Sequence, residues 1–418
     1  MFVVFGKWKV GSSLKKLLDK LNFENCIMDD QDWNDEVLSK SEKIIVSPWI
    51  KQDHKLYLNY KNKVFSELNF LWDVIKSLGL SNSLEIIWVT WTNWKSTSVH
   101  IIYNLFKWIF EKLNIKTNIY LSWNFWTPLS ETLYEIISWE NENKNLIVLE
   151  TSSFMLYNLK NFNFDYSIIT NLWVDHLDWH KDLQEYFDSK FNIVDFTKNY
   201  AVMDKDNINL YKKNNTTKAE IEEFQQNFDL EKTNFLWKHN EWNWNASLKI
   251  IKKFFEKNNL KWHDEVFWEV AKNIEPLDHR IKMVKELWWI KIYDDWICTS
   301  SQALNVALNS FNEKITLIAG GYDKWDDYTW LANELEKKVW FACLIWQTAK
   351  KFEVILKEKN IDYKIFEKLE DAVLYAINET KKLWIKNILF SPWSASFDMF
   401  ENVYDRCDQF IGIIDNLW

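Results

Sequence analysis

At 418 residues the chain is too long for one ordinary hydrophobic core, and its size points to roughly two to four domains. Net charge is −9, from 51 basic and 60 acidic side chains interspersed along the chain, so no basic stripe argues for nucleic acid. No apolar run reaches the roughly 20 residues of a membrane span and no signal peptide is visible, so neither membrane insertion nor secretion is expected. Cys26, Cys298, Cys343 and Cys407 are scattered without metal-ligand spacing, which fits reduced thiols in a cytoplasm.

Taken in order, the first 80 residues alternate short apolar runs with amphipathic stretches: Phe2 to Phe5, a helix near Ser12 to Leu21, Cys26 to Met28, and Ile44 to Val46. That is a small α/β unit. A second block opens on an Ile86 to Thr90 strand and has further strands at Leu146 to Leu149 and Ser167 to Thr170. Tyr211 to Thr217 reads as surface structure, and a helix at Ala246 to Phe255 follows. From His279 the βα alternation restarts, with strands at Ile315 to Ala319, Ala342 to Ile345 and Asn387 to Phe390. The pattern is α/β throughout, with no internal repeat.

One count stands out along the whole chain. There are 28 Trp and 6 Gly, where ordinary usage near 7% would give about 29 glycines. The excess falls where turns demand glycine. Gly6-Lys-Trp8-Lys-Val-Gly11 becomes G-x-G-x-x-G once Trp8 is glycine, and Trp49 and Trp393 each follow Ser-Pro. In Thr90-Trp91-Thr92-Asn93-Trp94-Lys95-Ser96-Thr97 a strand meets a helix through a phosphate loop with Trp at its glycines. Such a loop needs positive φ and close backbone approach to phosphate, and an indole would fill the site. We read most of these tryptophans as UGA codons decoded as glycine, with Trp72 and Trp179 genuine. The rival is a Trp-rich protein with aromatic platforms for carbohydrate; UGG codons at Trp91 and Trp94, or an intact mass matching tryptophan, would favour it.

Lys95 and Ser96 stand where a phosphate-loop lysine neutralises phosphate and a hydroxyl ligates Mg²⁺, although Lys-Ser-Thr alone could be an ordinary capped helix. Glu150 ends a predicted strand, where open α/β sheets bind ligands, or is a plain surface carboxylate. Asp175-His176-Leu-Asp178-Trp-His180 leaves the next strand and suggests metal or phosphate chemistry, or a polar loop with N-cap aspartates.

With glycine restored, Thr90 to Thr97, Asn171 to His180 and Tyr186 to Lys190 resemble the Mur ligases, ATP-dependent amide-forming enzymes of peptidoglycan synthesis. Ser122 to Pro128, Glu150 to Leu156, Gly320 to Trp325 and Ser391 to Phe400 with Tyr404 to Arg406 resemble most the branch that adds D-glutamate to UDP-N-acetylmuramoyl-L-alanine. The resemblance implies three domains. A Rossmann-like N-terminal domain, residues 1–81, would bind the UDP-substrate; a P-loop ATPase-like domain with a mostly parallel sheet, 82–278, ATP; and a Rossmann-like C-terminal domain, 279–418, the amino acid. It implies a cytoplasmic monomer using ATP and two Mg²⁺ ions. Trp91, Thr92, Asn93, Trp94, Lys95, Ser96 and Thr97 would cradle phosphate; Ser96, Glu150, His176 and a carbamylated Lys190 would hold metal. Asn240, Asn243 and Asp295 would meet the nucleoside and Arg280 the phosphates. Lys9, Val10 and Asn124 would contact the UDP-substrate, and Thr299, Lys324, Ser396 and Phe397 the D-glutamate. Lys190 could otherwise be a surface lysine, and Lys9-Val10 a structural turn.

The chain departs from the family pattern at Asp30-Gln31, where a Thr-Arg pair is expected near uracil, and at Ile297, Asp278 and Cys407, where lysine, proline and glycine are usual. The rival functions are another Mur ligase, a folylpolyglutamate synthase-like ligase, or a binding protein inactivated by literal Trp in the phosphate loop.

Overall fold

The computed structural model describes residues 1–418 except 91–94, 124–126, 140–142, 174–175, 178, 236, 297, 299–300, 322–328, 393–402 and 418, and it leaves out the side chains of 403–407. Three sheets organise the chain. The first is built from β1 (Phe2–Phe5), α1 (Lys9–Lys20), β2 (Asn25–Met28), α2 (Asp35–Lys40), β3 (Lys43–Val46), α3 (Lys55–Tyr60), β4 (Val64–Ser66) and α4 (Glu67–Ser77). Its order is β2-β1-β3-β4, parallel throughout. β1 is buried along its whole length, as the unbroken apolar run predicts for a parallel strand covered on both faces.

The second sheet runs through β5 (Leu84–Thr90), α5 (Lys95–Lys112), β6 (Thr117–Ser122), α6 (Leu129–Ser138), β7 (Lys144–Glu150), α7 (Ser153–Leu156), β8 (Phe164–Ile169), α8 (Leu183–Asp195), β9 (Thr197–Met203), α9 (Lys205–Asn214) and β10 (Glu220–Glu223). α10 (Asn240–Lys257) and α11 (Asp264–Ala271) pack onto α5. The order β10-β9-β8-β5-β7-β6 is parallel at every pairing. From β5 the chain skips to the edge at β6, returns to β7, and then crosses β5 to β8, β9 and β10 on the other side. Its switch point therefore lies at the carboxyl end of β5, where such sheets bind ligands.

The third sheet comprises β11 (Lys282–Leu287), β12 (Ile290–Asp294), α12 (Ser301–Asn309), β13 (Ile315–Ala319), α13 (Ala332–Lys338), β14 (Val339–Ile345), α14 (Ala349–Glu358), β15 (Asp362–Phe366), α15 (Leu369–Lys382), β16 (Asn387–Phe390) and α16 (Val403–Asp415). Its order is β11-β12-β16-β13-β14-β15, with only the β11–β12 hairpin antiparallel. The chain forms two compact units: Met1–Leu236 with Asn240–Ile274, and Trp237–His239 with Glu275–Trp418. Among the described residues no helix is long and apolar enough to cross a membrane.

Tyr211 to Thr217 differs from its surface reading at one end. Tyr211 is buried at the close of α9, where its hydroxyl donates to Asp195 at 2.6 Å and its ring meets Phe191. Within the first unit, α1 packs on α6, and Ser130 on α6 reaches both Ser13 Oγ on α1 at 3.1 Å and Glu67 on α4 at 3.2 Å. Glu67 is enclosed, and burial pushes its carboxyl up to about 7 against the Ser130 hydrogen bond.

Candidate active site

In the first unit the site starts from three strand ends. β5 ends at Thr90, β7 at Glu150 and β8 at Ile169, and the register sets Val89 beside Glu150 and Thr90 beside Ile169. α5 begins at Lys95, so Ser96 lies in its first turn, where unpaired backbone N–H groups favour an anion. The Ser96 hydroxyl donates to Glu150 Oε2 at 2.8 Å, and Glu150 is 6% exposed. A hydroxyl and a carboxylate are hard oxygen donors, and Mg²⁺ commonly takes one or two carboxylates and completes its shell with phosphate and water. This pair fits that ion.

Lys190, on α8, is 1% exposed and places Nζ 3.5 Å from Thr90 Oγ1, which itself donates to Thr151 O at 3.0 Å. The ammonium also lies 5.0 Å over the Tyr186 ring. Burying an ammonium is costly, and a carbamate on the same side chain would be an anionic oxygen donor. His176 has φ 54°, and its ring meets Phe154 edge-on at 4.8 Å. His180 is buried beside it, with Nε2 2.9 Å from Ser153 Oγ and Nδ1 3.7 Å from Glu185 Oε2. Burial first, and then His176 and Lys190, push His180 down to about 4 against the pull of Glu185, so its ring is neutral near pH 7.

At the amino end of the same unit, Gly6 has φ 113°, and a Cβ on Gly11 would sit 1.8 Å from Gly6 O. The first and third glycines of the fingerprint are thus demanded by a turn and by close helix packing. Trp8, at the middle position, caps α1 with no side-chain hydrogen bond and is 83% exposed. Lys9 and Val10 open α1 beside it. Asp30, at the first of the departures from the family pattern, lies 3.1 Å from His54 Nε2 and 3.3 Å from Lys55 Nζ. In the first turn of α10, Asn243 Nδ2 donates to Asn240 Oδ1 at 2.9 Å, and both residues are buried.

The second unit holds its own polar centre. Asp294 ends β12 and Asp295 follows it. His279 Nδ1 lies 2.5 Å from Asp294 Oδ2, and the Asp294 carboxylate also accepts from Trp296 N at 3.1 Å. Burial opposes charge on His279, but the Asp294 hydrogen bond and charge outweigh it and raise the ring above its ordinary value. Ser391 Oγ donates to Asp295 Oδ2 at 2.9 Å, while burial pushes that carboxyl up to about 7 against Ser391 and the charge of Arg280. Arg280 sits between His279 at φ 63° and Ile281 at φ 51°. A β-branched residue in the left-handed region is an outlier that its surroundings must hold; the Trp237 indole donates to Ile281 O at 3.0 Å.

The Mur ligase middle domain matches residues 89–263, which carry the strand ends and α5 just described. A UDP-N-acetylmuramoylalanine–D-glutamate ligase of Clostridium botulinum (strain Alaska E43) is 32% identical over 362 residues, covering 80% of this chain and 74% of the relative. The chain belongs to the Mur ligase family. A second relative of the same description, from Thermosipho melanesiensis, is 29% identical and spans all of this chain and 92% of its own. Among solved structures, a MurF ligase of Thermotoga maritima in complex with ADP superposes with a TM-score of 0.58 at 16% identity, over 92% of each chain.

Of the residues the Mur ligase resemblance singles out, the fold brings Ser96, Glu150 and Lys190 to neighbouring strand ends, with Lys95, Thr97 and His176 on the adjoining segments. Asn240 and Asn243 pair in the first unit, whereas Arg280 and Asp295 lie in the second. Trp91, Thr92, Asn93, Trp94, Asn124, Thr299, Lys324, Ser396 and Phe397 lie outside the described residues. So does Trp393. Sequence reasoning assigned no role to Thr90, Ser153 or Asp294. Thr90 was legible as the polar end of an apolar strand; Asp294 and Ser153 take meaning only from partners 15 and 27 residues away.

Proposed function

We propose that the chain is an ATP-dependent ligase that joins D-glutamate to UDP-N-acetylmuramoyl-L-alanine in peptidoglycan precursor synthesis, and that the native protein carries glycine at most of its printed tryptophans. The observation that carries the activity is near-full-length similarity to ligases of that description, together with the Ser96–Glu150 oxygen pair at the switch point of the central sheet.

The substrate's alanyl carboxylate attacks the γ-phosphorus of ATP, ADP departs, and an acyl phosphate remains. The amine of D-glutamate then attacks the acyl carbon, phosphate leaves and the amide nitrogen loses a proton. Phosphoryl transfer is catalysed mainly by positioning and charge neutralisation, which gives Lys95 and the first turn of α5 the β- and γ-phosphates, and Arg280 the transferred phosphoryl. Mg²⁺, when bound, supplies charge neutralisation at those oxygens, held by Ser96 and Glu150, with His176 and a carbamylated Lys190 holding a second ion. Asn240, Asn243 and Asp295 take the nucleoside, Lys9, Val10 and Asn124 the UDP-substrate, and Thr299, Lys324, Ser396 and Phe397 the D-glutamate. The three sheets divide these tasks as residues 1–81, 82–278 and 279–418. The setting is the cytoplasm and the working form a monomer.

The test is ADP release with UDP-N-acetylmuramoyl-L-alanine and a panel of D-glutamate, L-glutamate, L-alanine and diamino acids. It uses protein encoded with glycine at positions 91 and 94 beside protein with the literal indoles. Turnover with D-glutamate by the glycine form alone is expected. Turnover with another acceptor overturns the activity, and equal turnover by both forms overturns the glycine reading of the loop.

A further inference from the structure

We propose that His180 is a positioning residue: it ties the turn carrying His176 to α7 and α8, and so sets the separation of Glu150, His176 and Lys190. The proposal rests on the ligase reading. A strand end, a turn and a helix supply these groups, Glu150 from the end of β7, His176 from the turn after β8 and Lys190 from α8, so only Glu150 is fixed by a strand itself. His176 sits on a turn with φ 54°, outside any strand or helix, so its position depends on what closes that turn.

His180 supplies that hold in three directions. Its backbone N–H donates to His176 O at 2.9 Å, which closes the turn. Nε2 reaches Ser153 Oγ at 2.9 Å, and Ser153 opens α7 three residues after Glu150. Nδ1 faces Glu185 Oε2 at 3.7 Å, beyond hydrogen-bond reach, so its tie to the first turn of α8, the helix that carries Lys190, is an electrostatic one. A carboxylate beside Nδ1 favours the tautomer with hydrogen there, which leaves Nε2 to accept from the Ser153 hydroxyl. Glu185 is itself held: it accepts from Lys181 N at 2.9 Å and from the Tyr157 hydroxyl at 3.2 Å.

The apolar side closes the clamp. The His180 ring stacks on Phe154 at 5.8 Å and 17°, and the same Phe154 meets the His176 ring at 4.8 Å. Tyr186, on the far side, approaches both histidines at 5.3 and 6.2 Å. The serine, histidine and glutamate resemble a nucleophilic triad, but Ser153 and His180 are both buried, and no substrate reaches the hydroxyl. Their joint task is geometric.

The experiment uses the full chain with glycine at 91 and 94 and compares His180→Phe, which keeps the ring stack and removes both nitrogens, with His180→Gln, which returns an amide towards Ser153. Mn²⁺ affinity in the presence of ADP is read by calorimetry, alongside the melting midpoint and the separate KM values for ATP and the UDP-substrate. His180→Phe is expected to melt near the parent, bind Mn²⁺ about 10-fold more weakly, as loss of a ligand-orienting contact does, and raise KM for ATP while KM for the UDP-substrate stays within about 2-fold. His180→Gln is expected to recover most of the Mn²⁺ affinity. Unchanged Mn²⁺ affinity in a folded His180→Phe protein overturns the proposal, and so does a uniform loss that His180→Gln fails to rescue. A parent that binds Mn²⁺ with ADP but forms no amide overturns the ligase reading alone.

Discussion

The ends of α1, α5, α10 and α14 and the end of α15 form a natural comparison. In the first four, Asn22, Asn114, Asn259 and Asn360 take φ of 58°, 53°, 54° and 52°, and the next residue's N–H closes onto a carbonyl five residues back at 2.8–3.0 Å. α15 ends the same way, with Ile385 N donating to Thr380 O at 3.0 Å, yet the left-handed residue is Trp384 at φ 54°. α4 ends on Gly79 at φ 69°. Glycine and asparagine are the residues this cap accepts, because a bulky Cβ substituent there costs about 1–2 kcal/mol. The backbone demand is the same at every end, so the residue type at 384 is what stands out. The hairpin turn between Leu287 and Ile290 repeats the lesson, with Trp288 at φ 60°, where two-residue hairpin turns call for glycine.

The largest effect that sharpens the comparison comes from a printed glycine. In Gly11→Ala the new methyl would lie 1.8 Å from Gly6 O, a backbone atom that cannot step aside. A loss of about 3 kcal/mol in urea unfolding is expected, against no loss for Trp8→Gly in the same fingerprint. An alanine tolerated at position 11 would mean the turn is not packed as glycine chemistry requires.

Trp88→Gly has the next largest expected effect. Trp88 is buried in β5 with its ring centroid 3.5 Å from that of Phe164, closer than the roughly 4.5–7 Å usual for aromatic pairs. Its indole N–H has no hydrogen-bond partner, like those of Trp244 and Trp289, and also that of Trp179, which we read as genuine. Removing a well-fitted core tryptophan costs about 3–5 kcal/mol. Relief of overpacking by about 2 kcal/mol is expected instead, read as a raised urea midpoint. A lowered midpoint would restore Trp88 as a true core residue.

A pH series sharpens the contrast further, since Trp-to-Gly differences involve no titrating group and should be flat with pH. Glu67 is the opposite case. Its carboxyl is raised from 4.5 to about 7 by burial, so the folded state holds a proton that the unfolded chain releases. The stability it contributes is complete below about pH 4.5 and is lost as pH rises to about 7. Glu67→Gln should therefore match the parent near pH 4 and exceed it above pH 7, by on the order of 1–2 kcal/mol after allowance for relaxation. An offset that is the same at both ends of the series would refute the buried proton.

Much of the fold was legible because parallel strands covered on both faces read as apolar runs. Ile315–Ala319 and Asn387–Phe390 fall where the pattern puts them, and β5, β7 and β14 extend their predicted cores by two or three residues. β10, of sequence Glu-Ile-Glu-Glu, carries no such signal because it is a polar edge strand. At the site, Lys95, Ser96 and Glu150 were legible from their places at strand and helix ends. The His180–Ser153 bond was not, since its partners lie 27 residues apart and meet only when β7 and β8 are both in the sheet.

The smallest effect isolates backbone strain from packing. Trp288 is exposed and in a left-handed turn, with Lys381 Nζ 4.0 Å over its ring. An exposed cation–π contact contributes about 0.5–1 kcal/mol, less than the strain of about 1–2 kcal/mol that glycine relieves. Trp384 is a poorer probe, because its stack on Trp289 at 4.9 Å would be lost as well. Trp288→Gly should gain about 1 kcal/mol, while Asn360→Gly, at φ 52° with a residue that already tolerates it, should change by less than about 0.5 kcal/mol. Paired urea titrations decide between the two accounts. If the asparagine site gains as much as the tryptophan site, the cost belongs to the left-handed cap itself, and the printed tryptophans lose their claim to be misplaced glycines.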